Sequence, residues 1–201
     1  MALRPDQQAL TDTLRTAICD RPPAEIVAEH VMERVPFLFS NDWPLYRAWR
    51  RTVAGLIEVD PCDVCIVGSA CAGLSLNPYK KMKLFGDTSD VDVAIVSSRH
   101  FELAWRALRN TRRGAVRNDR EWSAIENHRT RYVYWGCIAA DKVLRFLPFH
   151  NTWVDAISHV RGVQPTAGRD ISLRLYKDFE SLRRYQDNSI KQLRAALLEG
   201  Q

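Results

Sequence analysis

Short apolar segments alternate along this chain with longer segments of helical periodicity, and this alternation limits the fold more than any other feature. Residues 64–67, 91–96 and 171–176 are mainly apolar, and each segment is too short for a stable helix. Short apolar or alternating runs bounded by polar turns are typical of strands. A further strand is predicted over 131–140. Together these patterns predict an α/β (or α+β) fold, a small mixed sheet flanked by helices.

Helices are predicted at both ends of the chain. Apolar residues recur at helical spacing through residues 6–34, and the sequence Arg-Pro-Pro at 21–23 divides this region into two helices. Asp42 and Pro44 indicate the start of another helix, which we expect to extend to about residue 60. Residues 101–108 are also predicted to be helical. The apolar face of a closing helix comprises Phe179, Leu182, Ile190, Leu193 and Leu197.

The length of 201 residues is sufficient for one domain with a substantial core. Apolar residues make up 46% of the chain and charged residues 26%, which excludes a disordered or fibrous protein. No repeat and no linker divides it. We therefore expect a single domain over 1–201, in which a helical N-terminal part (1–60) packs on a core formed by 61–201.

The sequence predicts neither a membrane span nor a secretion signal. Its longest uncharged stretch, residues 64–79, is shorter than the roughly 20 apolar residues that a span needs, and it contains Gly, Ser, Asn and Pro. The first twenty residues carry five charged side chains and lack an apolar segment. A cytoplasmic protein without a membrane partner is expected.

Positive charge is concentrated in one part of the chain. The net charge is +5, and residues 99–131 contain nine basic and four acidic side chains. Arginine dominates this segment, at Arg106, Arg109, Arg112, Arg113, Arg117, Arg120, Arg129 and Arg131. Guanidinium groups bind phosphates through paired hydrogen bonds, so the segment indicates an anionic partner such as nucleotide phosphates or RNA. A solvated helix face followed by a loop explains the charge equally well.

Two acidic residues flank the start of the predicted strand 91–96. Asp90 and Asp92 are two positions apart, so their carboxylates project from the same face, whereas Val91 and Val93 point into the core. Carboxylates held together repel each other unless a cation lies between them, and Mg²⁺ is bound by one or two carboxylates together with substrate phosphates. Gly68 and Ser69 close the preceding strand, where they allow close approach of the backbone and offer a hydroxyl to a phosphate.

Residues 60–98, with Gly68-Ser69 followed by Asp90-x-Asp92 in an apolar frame, resemble the polymerase-β-type nucleotidyltransferase superfamily. The resemblance implies that Gly68 and Ser69 bind the triphosphate of a nucleotide and that Asp90 and Asp92 hold Mg²⁺ (or Mn²⁺). It also implies transfer of a nucleoside monophosphate from an NTP to an acceptor hydroxyl, with release of pyrophosphate. Two metal ions can stabilise both the attacking and the leaving oxygen in such a reaction.

The sequence departs from the family pattern at two points. The 20-residue connection between Ser69 and Asp90 is long, and it contains Lys80, Lys81 and Lys83, which either bind phosphates or are solvated. The family also has a third catalytic acid on a later strand. Asp141, just beyond the strand predicted over 131–140, is our prediction for that role. The alternatives are Glu126, Asp155 and Asp170.

The leading hypothesis is therefore a metal-dependent nucleotidyltransferase with Asp90, Asp92 and Asp141 as catalytic residues. Its acceptor is the 3′ end of an RNA or a protein hydroxyl, because small members of this superfamily modify such targets, some of them as toxins or in phage defence. The alternative is a catalytically inactive nucleotide- or RNA-binding module with the same fold. A third hypothesis is a helical interaction protein in which Asp90 and Asp92 are turn residues.

Overall fold

The computed structural model describes residues 5–200, with side chains from residue 8 onward. Its elements in chain order are α1 (Pro5–Asp20), α2 (Pro23–Val27), α3 (Trp43–Ile57), β1 (Val64–Val67), α4 (Gly68–Ala72), β2 (Val91–Val96), α5 (Ser98–Asn110), α6 (Asp119–Asn127), β3 (Cys137–Ala139), α7 (Ala140–Val143), α8 (His150–Val160), β4 (Ile171–Tyr176) and α9 (Phe179–Leu198). Turns of π-helix extend α2 over Ala28–Met32 and α6 over His128–Tyr132. None of the helices within this part of the chain is long and apolar enough to cross a membrane.

The four strands form one mixed sheet in the order β1-β2-β4-β3. The two central strands, β2 and β4, are parallel, while β1 and β3 each run antiparallel to their neighbour. Helices cover both faces of the sheet, so the predicted fold class is confirmed. In this register Asp92 lies between Val67 of β1 and Ser172 of β4, near one end of the sheet.

Alternation along β2 divides the apolar core into two layers. Val91, Val93 and Ile95 belong to the layer that packs against α3, α5 and α8. Ala94 and Val96 point to the opposite face, where they pack with apolar residues of α1, α2 and α9. Asp92 belongs to this second face by its position, because successive side chains of a strand alternate. The polar end of β2 is thereby directed toward α9.

The structure confirms the predicted break between α1 and α2 and the predicted start of α3. Pro23 begins α2, and the Asp42 carboxylate caps α3 by accepting a hydrogen bond from the Leu45 N–H at 2.8 Å. However, α3 ends at Ile57, about three residues before the predicted end. Glu58 adopts a left-handed conformation there, with φ 57°, which stops the helix.

The predicted strand over 131–140 is wrong in its first half. Helical turns continue from α6 through Trp135, and the strand is confined to Cys137–Ala139. Gly136, at φ 59°, separates the two, and a Cβ atom at this position would collide with Ser181 Oγ. The aromatic and β-branched composition of 131–135 is typical of a strand. Tertiary packing overrides this preference, since the ring of Trp135 packs edge-on against Tyr185 of α9, with ring centroids 6.5 Å apart.

Candidate functional site

A cavity of about 550 Å³ opens on the face of the sheet that carries Asp92. The end of β1 and the start of β2 form its floor, and the segment 75–80 forms one wall. The π-turn after α6 and the polar face of α9 form the remaining walls. Four of the predicted residues, Gly68, Ser69, Asp90 and Asp92, line this cavity together.

Gly68 and Asp92 lie so close together that a side chain at position 68 would displace the Asp92 carboxylate. Gly68 has φ +64°, and a Cβ atom there would lie 2.7 Å from Asp92 Oδ2. The cause is the β1–β2 pairing, which places Val67 directly opposite Asp92 and brings the next residue of the chain over its carboxylate. The absence of a side chain at position 68 therefore lets the backbone approach the acidic end of β2 closely.

The surroundings of Asp92 disfavour the ionised form of its carboxyl group. Burial raises the pKa of Asp92, the charge of Asp90 raises it further, and the cations Arg174 and Lys80 oppose this effect. A carboxylate whose ionisation is disfavoured by burial and by a second carboxylate is stabilised in its charged form by a bound cation. The pair is thus electrostatically suited to a divalent cation.

The donor set fits Mg²⁺ that takes further ligands from a substrate. Among the residues that the structure describes, no group of three or more His, Cys, Asp or Glu side chains is placed to hold a metal ion. Two carboxylates in an open, hydrated cavity nevertheless match Mg²⁺, which keeps water molecules and binds substrate phosphates. Asp90 and Asp92 are the residues that could hold it.

Four cationic side chains also line the cavity, namely Lys80, Arg131, Lys142 and Arg174. None of them forms an ion pair with a carboxylate of residues 8–200. With Asp90 and Asp92 the lining has a formal charge of +2. Unpaired cations that converge on one concave surface favour an anionic ligand with several charges, such as a triphosphate.

The structure brings only one of the three predicted lysines to the cavity. Lys80 lies in its lining, whereas Lys81 and Lys83 are exposed and lie outside it. Their backbone groups close the loop instead, since the Lys83 N–H donates to Lys80 O and the Lys83 carbonyl accepts from the Ser75 N–H. Lys142 was not predicted, and its isolated position in the sequence offers no signal.

No candidate for the third acid lines the cavity. Asp141 is exposed in the first turn of α7, and its charge contributes only weakly to the raised pKa of Asp92. Glu126 forms an ion pair with Arg129 of its own helical segment at 2.6 Å, and Asp170 forms one with Arg161, in the turn after α8, at 3.1 Å. Asp155 is exposed on α8.

The neighbouring strand carries a cation in place of an acid. On β4, Ser172 is paired with Asp92, and Arg174 follows two positions later on the same face. Arg174 Nη1 donates to Tyr185 Oη at 3.4 Å, and its charge acts on Asp92. The strand next to the two carboxylates therefore supplies positive charge to the cavity.

Much of the arginine-rich segment stabilises the fold. Arg106 pairs with Glu102, and Arg113 pairs with Asp119. Arg129 donates to the carbonyl oxygens at the end of α5, those of Leu108, Arg109 and Thr111. Arg131 alone among these arginines lines the cavity, while Arg109, Arg112, Arg117 and Arg120 are exposed.

Sequence analysis missed an uncharged polar and aromatic wall. The side-chain amides in it are Asn127, Gln186, Asn188 and Gln192, and the aromatic rings are Tyr132, Trp135 and Tyr185. The run of uncharged polar residues among 185–192 of the closing helix was a signal that could have indicated this wall.

Comparison with known proteins adds no relative, since no family model matches the chain and no curated protein or solved structure is significantly similar to it. The function is therefore argued from the cavity itself.

Proposed function

We propose that this protein is a metal-dependent nucleotidyltransferase that moves a nucleoside monophosphate from an NTP to an acceptor hydroxyl. The observation that carries the proposal is the contact between Gly68 and Asp92, with Asp90 beside it, on the floor of a cationic cavity. The strand-Gly-Ser and Asp-x-Asp segments meet in space although twenty residues separate them. If Asp90 and Asp92 were only turn residues of an interaction protein, no glycine would be needed beside Asp92.

Asp90 and Asp92 would hold Mg²⁺ (or Mn²⁺). The metal ion would neutralise part of the triphosphate charge and polarise the phosphoryl oxygens of the nucleotide. Ser69 offers a hydroxyl beside the carboxylates, and Lys80, Lys142 and Arg174 supply positive charge for the phosphate oxygens. In the reaction the acceptor oxygen forms a bond to the α-phosphorus, the bond from that phosphorus to pyrophosphate breaks, and the hydroxyl proton passes to solvent.

A polyanionic acceptor such as the 3′ end of an RNA is favoured over a protein hydroxyl. Arg131 lines the cavity and belongs to the same segment as the exposed Arg112, Arg117 and Arg120. Exposed arginines without a structural role are suited to bind a phosphate backbone.

A second candidate function is nucleotide binding without transfer. It is favoured by the absence of a third acid from the part of the cavity lining that the structure describes, and by the position of Arg174 on the strand beside Asp92. Such a module would bind an NTP with its phosphates on the same cations and would release no pyrophosphate.

The test is a labelling reaction. Purified protein is incubated with Mg²⁺, total RNA, cell lysate and one α-³²P-labelled NTP at a time, beside an Asp90→Asn/Asp92→Asn variant. Asp155→Asn, which changes an exposed acid on α8, is the matched control. Label in an RNA or protein band with the wild type and the control, and none with the double variant, is the expected result.

Calorimetric titration with NTP separates the remaining outcomes. Binding without labelling would support the inactive module, and weaker binding by the double variant would still place the nucleotide beside the two acids. Absence of binding by both proteins would contradict both functions and favour the interaction protein, whereas equal binding by both would contradict a role of the two acids in holding the nucleotide.

A further inference from the structure

One side chain in the cavity wall is buried and lacks a hydrogen-bond partner. Gln186 of α9 is 7% exposed and lines the cavity. Within residues 8–200, its carboxamide makes no hydrogen bond to the rest of the chain. Its amide atoms are not among the fully enclosed, unpartnered polar atoms of the described residues. The carboxamide therefore opens onto the cavity, where it is free to form hydrogen bonds with a ligand.

The neighbouring residues indicate what kind of ligand that is. Asn188 and Gln192 of α9 also line the cavity, and Asn127 lines it from the end of α6. These side chains are uncharged, and each amide presents both donors and an acceptor. They therefore suit a neutral polar group, whereas the cations of the same lining suit a phosphate.

Aromatic rings lie in the same part of the cavity. Tyr132 and Trp135 line it, and Trp135 packs edge-on against Tyr185 of α9 with ring centroids 6.5 Å apart. Amide side chains together with aromatic rings suit a nucleobase, because the base is flat and has donors and acceptors on its edge.

We propose that Gln186 reads the base of the nucleotide, making hydrogen bonds to its edge and thereby setting the base preference of the site. The inference rests on the proposed nucleotide-binding function and extends it to one specificity-determining residue. A carboxamide can bond an adjacent donor and acceptor at once, so a base that presents two donors or two acceptors at this edge leaves one amide group unpaired and is disfavoured.

The experiment measures binding of the α,β-methylene analogues of the four NTPs, and of inorganic triphosphate, by calorimetry in Mg²⁺. Gln186→Leu keeps the volume and removes the hydrogen-bonding groups. We expect the wild type to prefer one base and this variant to lose about tenfold in affinity for that base, with little change for the others and for inorganic triphosphate. Lys80→Met should instead weaken the binding of all five ligands alike, since Lys80 is one of the cations that line the cavity and all five ligands carry a triphosphate group.

Thermal unfolding provides a second readout. Gln186→Leu should unfold at the same or a higher temperature, because it removes an unpaired buried amide, whereas a purely structural glutamine would lower that temperature when replaced. A wild type that binds all four analogues alike, or a variant that keeps the wild-type preference, overturns the inference and leaves the proposed function standing. If the wild type binds none of the four analogues more tightly than inorganic triphosphate, the base makes no contribution and the inference is also overturned. If it binds no nucleotide at all, the inference and the proposed function are both overturned.

Discussion

Replacing Gly68 by alanine tests the contact on which the candidate site depends. Two costs are expected. An alanine in the left-handed region costs about 1–2 kcal/mol. In addition, Asp92 Oδ2 must move by 0.7 Å, from 2.7 Å to the 3.4 Å of an ordinary contact with the new Cβ. A side-chain rotation of this kind costs about 0.5–1.5 kcal/mol. Gly68→Ala should therefore lower the free energy of unfolding by about 1.5–3.5 kcal/mol.

Gly168 provides a matched control for the backbone cost. Its φ is +72°, close to that of Gly68, and nothing lies within 4 Å of the position of its Cβ. Gly168→Ala should cost only the backbone term of about 1–2 kcal/mol. The difference between the two variants isolates the contact with the Asp92 carboxylate. Urea denaturation followed by tryptophan fluorescence gives both free energies.

The displaced carboxylate should also weaken the metal site. A tenfold or greater loss of Mn²⁺ affinity is expected for Gly68→Ala, since supporting changes around metal ligands commonly cost about 10- to 100-fold. Gly168→Ala should bind Mn²⁺ like the wild type. Equal destabilisation by the two substitutions together with unchanged Mn²⁺ binding would refute the argument that Gly68 makes room for Asp92.

The remaining predictions concern the loop lysine, a structural arginine and a buried histidine. Lys80→Ala should reduce triphosphate affinity several-fold while Lys81→Ala leaves it unchanged, because only Lys80 lines the cavity; a titration in which both behave alike would contradict this. Arg129→Ala should lower the free energy of unfolding by about 2–3 kcal/mol, since it removes a charged donor from the carbonyl oxygens that end α5, whereas Arg106→Ala, which breaks an exposed pair, should cost under about 0.5 kcal/mol in the same denaturation assay. Burial lowers the pKa of His128, whose Nε2 accepts from the Ala139 N–H at 3.0 Å, so the unfolded chain takes up the proton first as pH falls. Stability should therefore be full above about pH 6.5 and decline below it, and His128→Gln should flatten that decline in denaturation curves recorded at several pH values; an unchanged slope would show that His128 is not the group responsible.

Periodicity predicted the central strands and the helices α1, α2, α3, α5 and α9 because these elements carry their own signal, but it did not predict α6 and α8. The alternation in β2 separates Asp92 from Val91 and Val93 whatever the rest of the chain does. Asp42 caps α3 through a hydrogen bond to a residue three positions away. Local geometry is sufficient for such features. The segment 131–135 shows the opposite case, since its strand-like composition yields to packing of Trp135 against Tyr185 of α9, which is distant in the sequence.

Gly68 and Asp92 could be identified as site residues from the sequence, but their proximity in space depends on how the strands pair. Gly68 touches Asp92 only because β1 and β2 pair antiparallel in the register that sets Val67 against Asp92. The same pairing order puts β4, and with it Arg174, beside the carboxylates. A third acid could not be assigned from the sequence, since which strand neighbours β2 is decided by long-range pairing.

The sequence by itself determined strands β1, β2 and β4, the two acids on one face of β2 and the glycine-serine that ends β1, because each follows from spacing along a few residues. Only the tertiary structure decided which charges face the cavity. Lys80 is inside and Lys81 is outside, Lys142 and Arg174 join from distant segments, and Gln186 is buried without a partner. Burial and convergence are properties of chain segments far apart in sequence, so no local pattern encodes them.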